Sequence, residues 1–322
     1  MATKTLKRIW KNEYFQTILM MVIVNVSVFG FWQGVKLALK TEHPALAVAS
    51  TSMLPTLNVG DLIIVQGVPP AQIYANYING DLIVFRSPYN PNELIVHRAV
   101  KKEQINEAYY FTTHGDNNPT SSAEGPFPEN YLIGKVVGRI PNVGNLALLF
   151  HSEQNTYIFI ITLLIFIILI LSFLSDSEKE DEKAKRKLFG LKIEAIYILV
   201  VNVLLIGFIA FNIWGSFTFW QPGAEMNPKW VTIQGMYPDI QFHQSFKSSY
   251  NNVAEVFLSH GFLTYTINCL VNDGIHAGMR PGVPTFSMAQ LAVIILILFD
   301  FWKLMKFKRL GKAEVACVKD IL

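Results

Sequence analysis

Four stretches of this 322-residue chain are long and apolar enough to cross a lipid bilayer: roughly Tyr14–Leu39, Thr156–Leu174, Ile193–Trp214 and Ser287–Leu304. A helix needs about 20 apolar residues to span the hydrocarbon core. With 51% hydrophobic and only 16% charged residues, the chain is not composed like a soluble globule. The first stretch is too long and too weakly terminated for a cleaved signal peptide, so it reads as a retained anchor. A net charge of +3 is small and says little about nucleic acid; no basic stripe stands out, and no nucleic-acid partner is expected.

The basic residues set the topology. Lys4, Lys7, Arg8 and Lys11 precede the first span, "SDSEKEDEKAKRKLFGLK" lies between the second and third, and "KLMKFKRLGK" follows the fourth. The positive-inside rule puts all three in the cytoplasm. The expected organisation is a cytoplasmic N-terminus (1–13), spans at 14–39, 156–174, 193–214 and 287–304, a charged cytoplasmic loop (175–192) and a cytoplasmic tail (305–322). Two segments then lie outside, 40–155 and 215–286. Cys269 and Cys317 fall on opposite sides and cannot pair within one chain.

The first external segment is punctuated as a β domain. "DLIIVQGV", "DLIVFRS", "ELIVHRAV", "AYYFTTHG" and "LIGKVVGRI" are short apolar runs separated by Pro, Asn and Gly clusters. The fold expected is a mostly antiparallel sheet or partial barrel tethered to about four transmembrane helices.

This segment also carries candidate chemistry: Ser50, Ser52, His97, His114 and Asp116, on loops or strand ends. A serine becomes a useful nucleophile only when a base takes its proton. Singly, each residue has a plain structural explanation. "STSMLPT" suits a turn before proline, His97 a sheet edge, and Asp116 an Asx-turn. Their joint occurrence carries more weight. No His/Cys/Glu cluster outside the membrane has metal-ligand spacing, and no cofactor is expected.

The set resembles the archaeal and endoplasmic-reticulum type of type I signal peptidase. The boxes are "STSMLPT" (Ser50–Thr56) with Gly60-Asp61, "GDLIVF" (Gly80–Phe85), "IVHRAV" (Ile95–Val100), "GDNNP" (Gly115–Pro119) and "GKVVGRIPNVG" (Gly134–Gly144), in family order across the first half of the chain. Bacterial-type members place a lysine where His97 stands. The resemblance therefore implies a Ser–His mechanism, with Ser52 as nucleophile and His97 as general base and then acid. The Ser52 N–H, with the Ser50 hydroxyl, would stabilise the oxyanion. The family's orienting aspartate falls at the offset of Ser122 here. Asp116 is read as the functional carboxylate and Glu124 as the alternative. Met53, Ile95 and Val96 would line shallow pockets for small side chains. The implied partners are signal peptides of secretory preproteins, the bilayer, and an export channel or further subunits. The implied location is an archaeal-type cell membrane or the endoplasmic reticulum membrane, with the catalytic domain on the extracytoplasmic side. Two rivals stand beside this reading: a non-catalytic membrane subunit that binds exported chains, and a protease of the same fold with one dedicated substrate.

The second half echoes the first. "VNVSVFGF" (Val24–Phe31) aligns with "VNVLLIGF" (Val201–Phe208), and "VASTSMLPTL" (Val48–Leu57) with "VTIQGMYPDI" (Val231–Ile240). Met and Pro fall in register, and Gly235 stands where Ser52 does. Residues 215–286 thus read as a degenerate repeat without a nucleophile, with chance similarity in biased sequence as the alternative. Trp220 and Trp230 are of the type favoured at membrane interfaces.

Overall fold

A computed structural model describes residues 13–151, 165, 187–188, 191–220, 230–249, 251–272 and 274–319. Among them, three helices are long and apolar enough to cross a membrane: Phe15–Leu39, Ile196–Trp214 and Met288–Lys306. The expected span at Thr156–Leu174 lies outside the described residues, apart from Ile165, as does most of the "FWQPGAEMNPKW" stretch.

Helix α1 (Glu13–Leu39) ends in a Schellman motif. Lys40, at φ 54°, is the left-handed residue; its N–H donates to Leu37 O, and Thr41 N–H donates to Lys36 O. The chain turns there into β1 (Ala45–Ala47) and, after the serine-bearing loop, β2 (Leu62–Gln66). Strands β3 (Leu82–Arg86), β4 (Leu94–Ile105), β5 (Ala108–His114), β6 (Glu124–Pro128) and β7 (Leu132–Ile140) follow, then helix α2 (Gly144–His151). All five runs expected as strands are strands.

β3 shows why its sequence is apolar without interruption. It is central, paired with β4 on one side and β7 on the other, and both its faces are buried. Leu82 and Val84 enter one core with Met53, Leu57, Ile63 and Val65. Ile83 and Phe85 enter a second core with Ala99, Phe111 and Phe127.

The second half begins with a short hairpin, β8 (Lys187–Leu188) and β9 (Leu191–Lys192), and helix α3 (Ile193–Trp214). A second hairpin, β10 (Ser216–Trp220) with β11 (Trp230–Gln234), leads into α4 (Met236–Ser245). Strands β12 (Val253–Gly261), β13 (Thr264–Asn272), β14 (Ala277–Arg280) and β15 (Thr285–Phe286) precede α5 (Met288–Lys319). α3 and α5 pack along each other, with Asn202 Nδ2 donating to Asp300 Oδ1 at 3.1 Å.

The two segments expected outside the membrane share one eleven-stranded sheet, in the order β12-β13-β15-β7-β3-β4-β5-β6, with β14 on β13 and β1–β2 on β7. The join is the parallel contact of β15 with β7, where Thr285 faces Arg139. That strand contact brings the two segments together.

Arg139 closes the join. Its Nη1 donates to Asp61 at 3.0 Å, its Nη2 to Asp239 at 2.5 Å and its Nε to Thr285 Oγ1 at 3.0 Å. The guanidinium and both carboxylates are almost fully buried. Burial would raise the Asp239 carboxyl; Arg139 and then His243 outweigh it and hold it well below the usual carboxylate range. The Asp61 carboxyl is pushed up by burial despite Arg139. Removing one member of such a buried set costs about 3–5 kcal/mol because the others keep their charge without a partner. Arg139→Met, which leaves two facing carboxylates, is expected to lower the unfolding free energy of the detergent-solubilised protein by about that amount. Denaturant titration followed by tryptophan fluorescence checks it, and a loss within the scatter of surface substitutions would show that the join is held elsewhere.

Candidate active site

The loop between β1 and β2 carries Ser50 and Ser52. It coils as a series of turns, with Leu54 N–H donating to Thr51 O and Leu57 N–H to Met53 O. Opposite it, the Gly115–Pro119 loop comes close: Asn117 N–H donates to Ser52 O at 2.8 Å. Position 115 must be glycine for this approach, because a Cβ there would lie 2.8 Å from Ser52 O and 2.7 Å from Asn118 Nδ2.

His97 sits in β4 with its ring buried, 4% exposed, near Phe85. Its Nε2 lies 3.0 Å from Ser52 Oγ. Its Nδ1 lies 3.0 Å from Glu124 Oε2, at the start of β6. A proton on Nδ1, donated to Glu124, leaves the Nε2 lone pair to accept from the Ser52 hydroxyl. The side chain of Glu124 is 37% exposed, so solvent screens part of its interaction with the ring. Ser50 Oγ lies 3.2 Å from Ser52 Oγ. Ser50, Ser52, His97 and Glu124 are thus brought together by elements far apart in sequence.

Asp116 does not join them. Both its oxygens are taken by Arg98, from Nε at 2.8 Å and Nη2 at 2.7 Å, and Oδ2 also accepts from Thr56 Oγ1 at 2.5 Å. Burial would raise its carboxyl, but Arg280 and Arg98 and these hydrogen bonds hold it well below the usual range. The reading of Asp116 as the carboxylate that orients His97 is corrected: strand alternation puts Arg98 on the face opposite His97, and Asp116 follows Arg98. The alternative, Glu124, is the carboxylate in contact. β6 is what shifts it into place, with Glu124 paired to Thr113 beyond a bulge.

Met53 is also corrected as a pocket residue. It is 1% exposed and belongs to the first core, so it offers a ligand no open surface. Ile95 and Val96 are half-buried on β4. His114 is buried and structural, donating from Nε2 to Pro119 O at 2.9 Å. Sequence reasoning passed over Arg98, Thr56, Asp61 and Arg139. The Arg98 signal was present in the His-Arg pair, and that of Asp61 in the Gly60-Asp61 dipeptide.

No protein-family model matches the chain. Curated relatives do. The human "Signal peptidase complex catalytic subunit SEC11C" is 29% identical over 155 residues, which is 46% of this chain and 78% of the relative. The Dictyostelium discoideum subunit sec11 is 25% identical over 167 residues, covering 48% of this chain and 87% of the relative. The Komagataella phaffii subunit SEC11 is 27% identical over 150 residues, 42% of this chain and 84% of the relative. Over about half its length, therefore, this chain is a homologue of signal peptidase complex catalytic subunits of the SEC11 type.

Proposed function

We propose that this protein is a membrane-bound serine endopeptidase that removes signal peptides from exported preproteins. The observation that carries the reading is the Glu124–His97–Ser52 relay, with both contacts at 3.0 Å. Homology to signal peptidase catalytic subunits supports the substrate class.

Ser52 Oγ attacks the scissile carbonyl while His97 Nε2 takes its proton. Glu124 holds the Nδ1–H tautomer and stabilises the imidazolium that forms. The oxyanion is met by the Ser52 N–H, with the Ser50 hydroxyl beside it. As the C–N bond breaks, the imidazolium gives its proton to the departing amine. Water, activated by the same ring, then hydrolyses the ester and restores Ser52. Residues 14–39, 193–214 and 287–304 act as membrane spans, and the sheet lies on the extracytoplasmic side. Ile95 and Val96 supply apolar surface for the small residues before the cut. The serine follows shortly after α1, so the site meets chains close to the membrane as they emerge.

Ser52→Ala is expected to leave a preprotein uncut while the variant inserts and folds as the parent does; cleavage at the parent rate would move the nucleophile elsewhere.

The two carboxylates are expected to separate cleanly. Glu124→Gln should lower kcat on the order of 10²-fold, less than the roughly 10⁴-fold known for a fully buried triad aspartate, because this one is partly solvated. Its melting temperature should stay at the parent value. Asp116→Asn should instead lower stability by about 3–5 kcal/mol, since it strands buried guanidinium groups. Preprotein cleavage and thermal melts on both variants decide, and the reverse pattern would return the orienting role to Asp116.

A further inference from the structure

The serine loop is tied down from two sides. From the first half, Asn117 holds it by N–H to Ser52 O and by Nδ2 to Thr51 O at 3.2 Å, and Thr56 donates to Asp116. From the second half come three more side chains. Asn251 Nδ2 donates to Leu54 O at 3.3 Å, Asp239 Oδ1 accepts from Asn58 Nδ2 at 3.0 Å, and Arg280 Nη1 stands 3.9 Å from Asp116 Oδ2. All three are buried.

Arg280 is the informative one. Arg98 already neutralises Asp116 with two hydrogen bonds, and Thr56 supplies a third. Arg280 adds a second cation to one anion. It is 6% exposed, and its Nε and Nη1 have no hydrogen-bond partner among the described residues. A buried guanidinium in that state destabilises the fold relative to a packed apolar side chain. Simple docking of the second half onto the sheet does not need it. What it does is place a positive charge against the carboxylate that anchors Thr56. Thr56 ends the turn that begins at Ser52. Arg280 is itself fixed in register, opposite Cys269 in the β13–β14 pair.

The human relative is matched over 78% of its length by 46% of this chain, so more than half of this chain has no counterpart in that match. We propose that the second half is a built-in clamp on the nucleophile loop, and that Arg280 is a positioning residue that acts on Ser52 through Asp116 and Thr56. The inference rests on the peptidase reading above.

The test uses the full chain in detergent, in a Cys317→Ser background, with a signal-peptide-bearing preprotein as substrate. Arg280→Met removes the charge and keeps the bulk; Arg280→Lys keeps the charge. Cys269 reports the integrity of the second-half core, against which Ile78 of the first half packs, because it is 5% exposed and burial pushes its thiol up to about 11. In the packed state it is slow to alkylate. Expected for Arg280→Met is a fall in kcat of about tenfold or more with KM nearly unchanged, the signature of a misplaced nucleophile. Cys269 protection should hold and the melting temperature should be at or above the parent value, as expected when an incompletely bonded buried guanidinium is replaced by an apolar side chain, and Arg280→Lys should recover most of the rate. Two results overturn the clamp: parent kcat in Arg280→Met, or a loss that follows Cys269 exposure and melting and is not recovered by lysine. A parent protein that cuts no preprotein, indistinguishable from Ser52→Ala, overturns the peptidase reading and the clamp with it.

Discussion

One buried guanidinium holds the two halves of this chain as a single body. Arg139 lies at the end of β7 and reaches Asp61 behind the serine loop, Asp239 at the start of α4 and Thr285 on β15. In a low-dielectric interior, a cation with two carboxylates is stable only with its hydrogen bonds in place. Its backbone is committed too, since Arg139 N–H donates to Pro284 O at 2.8 Å. Tyr265 and Asn58 complete the set by donating to Asp239. Each of these groups is expensive to leave unpaired, so the sheet cannot slide at the β7–β15 join without losing several contacts together.

That rigidity matters because the serine loop is not regular structure. It has few backbone bonds of its own, and its shape comes from what presses on it. Asn117 and the Gly115 approach hold the side toward His97, while Asp116 and Asp61 hold the inner side. The carboxylates divide the work by environment. Asp116 is sealed under the loop, bonded to Arg98 and Thr56, and serves as a fixed point. Glu124 is at the rim, partly wet, and reaches the ring. In the proposed mechanism the carboxylate faces a charge that grows and is then lost, and a rim position suits that better than a buried ion pair.

The strands were readable because each is bounded by turn residues and filled with β-branched or aromatic side chains. β3 could be read even as a buried strand, since "LIVF" is too short for a helix and flanked by Gly80-Asp81 and Ser87-Pro88. Ser52 and His97 were legible as a pair from their boxes. Glu124 against Asp116 was not. The distinction turns on a β-bulge between Phe111 and Thr113, which sets which carboxylate faces the ring, and a bulge leaves no periodic trace in the sequence. The union of the halves into one sheet was equally hidden. β15 has two residues, too few to show alternation, and its partner lies some 146 residues away in the chain by the Arg139–Thr285 bond.

Met53 and Met236 are each followed two residues on by a proline, but Met53 lies in a loop turn, with Leu57 N–H closing on Met53 O, whereas Met236 opens the first turn of α4, with Asp239 N–H closing on Gly235 O. The difference lies at the position before methionine. At Ser52 the backbone faces the Gly115 loop, which has given up its own side chain to make room. At Gly235 the backbone lies against the end of α3, and an added Cβ would come within 2.6 Å of Asn212 O. A serine there would have to move a helix terminus or the strand before it. At one turn there is space for the Ser52 side chain, and at the other the space is taken by packing. The position after proline follows the same division. Thr56, a neutral donor, serves the carboxylate under the serine loop, whereas Asp239 supplies the charge that holds Arg139. The turn without a serine is thereby the one that supplies Asp239 to the join, while the turn at Ser52 contributes Thr56 to the Asp116 set.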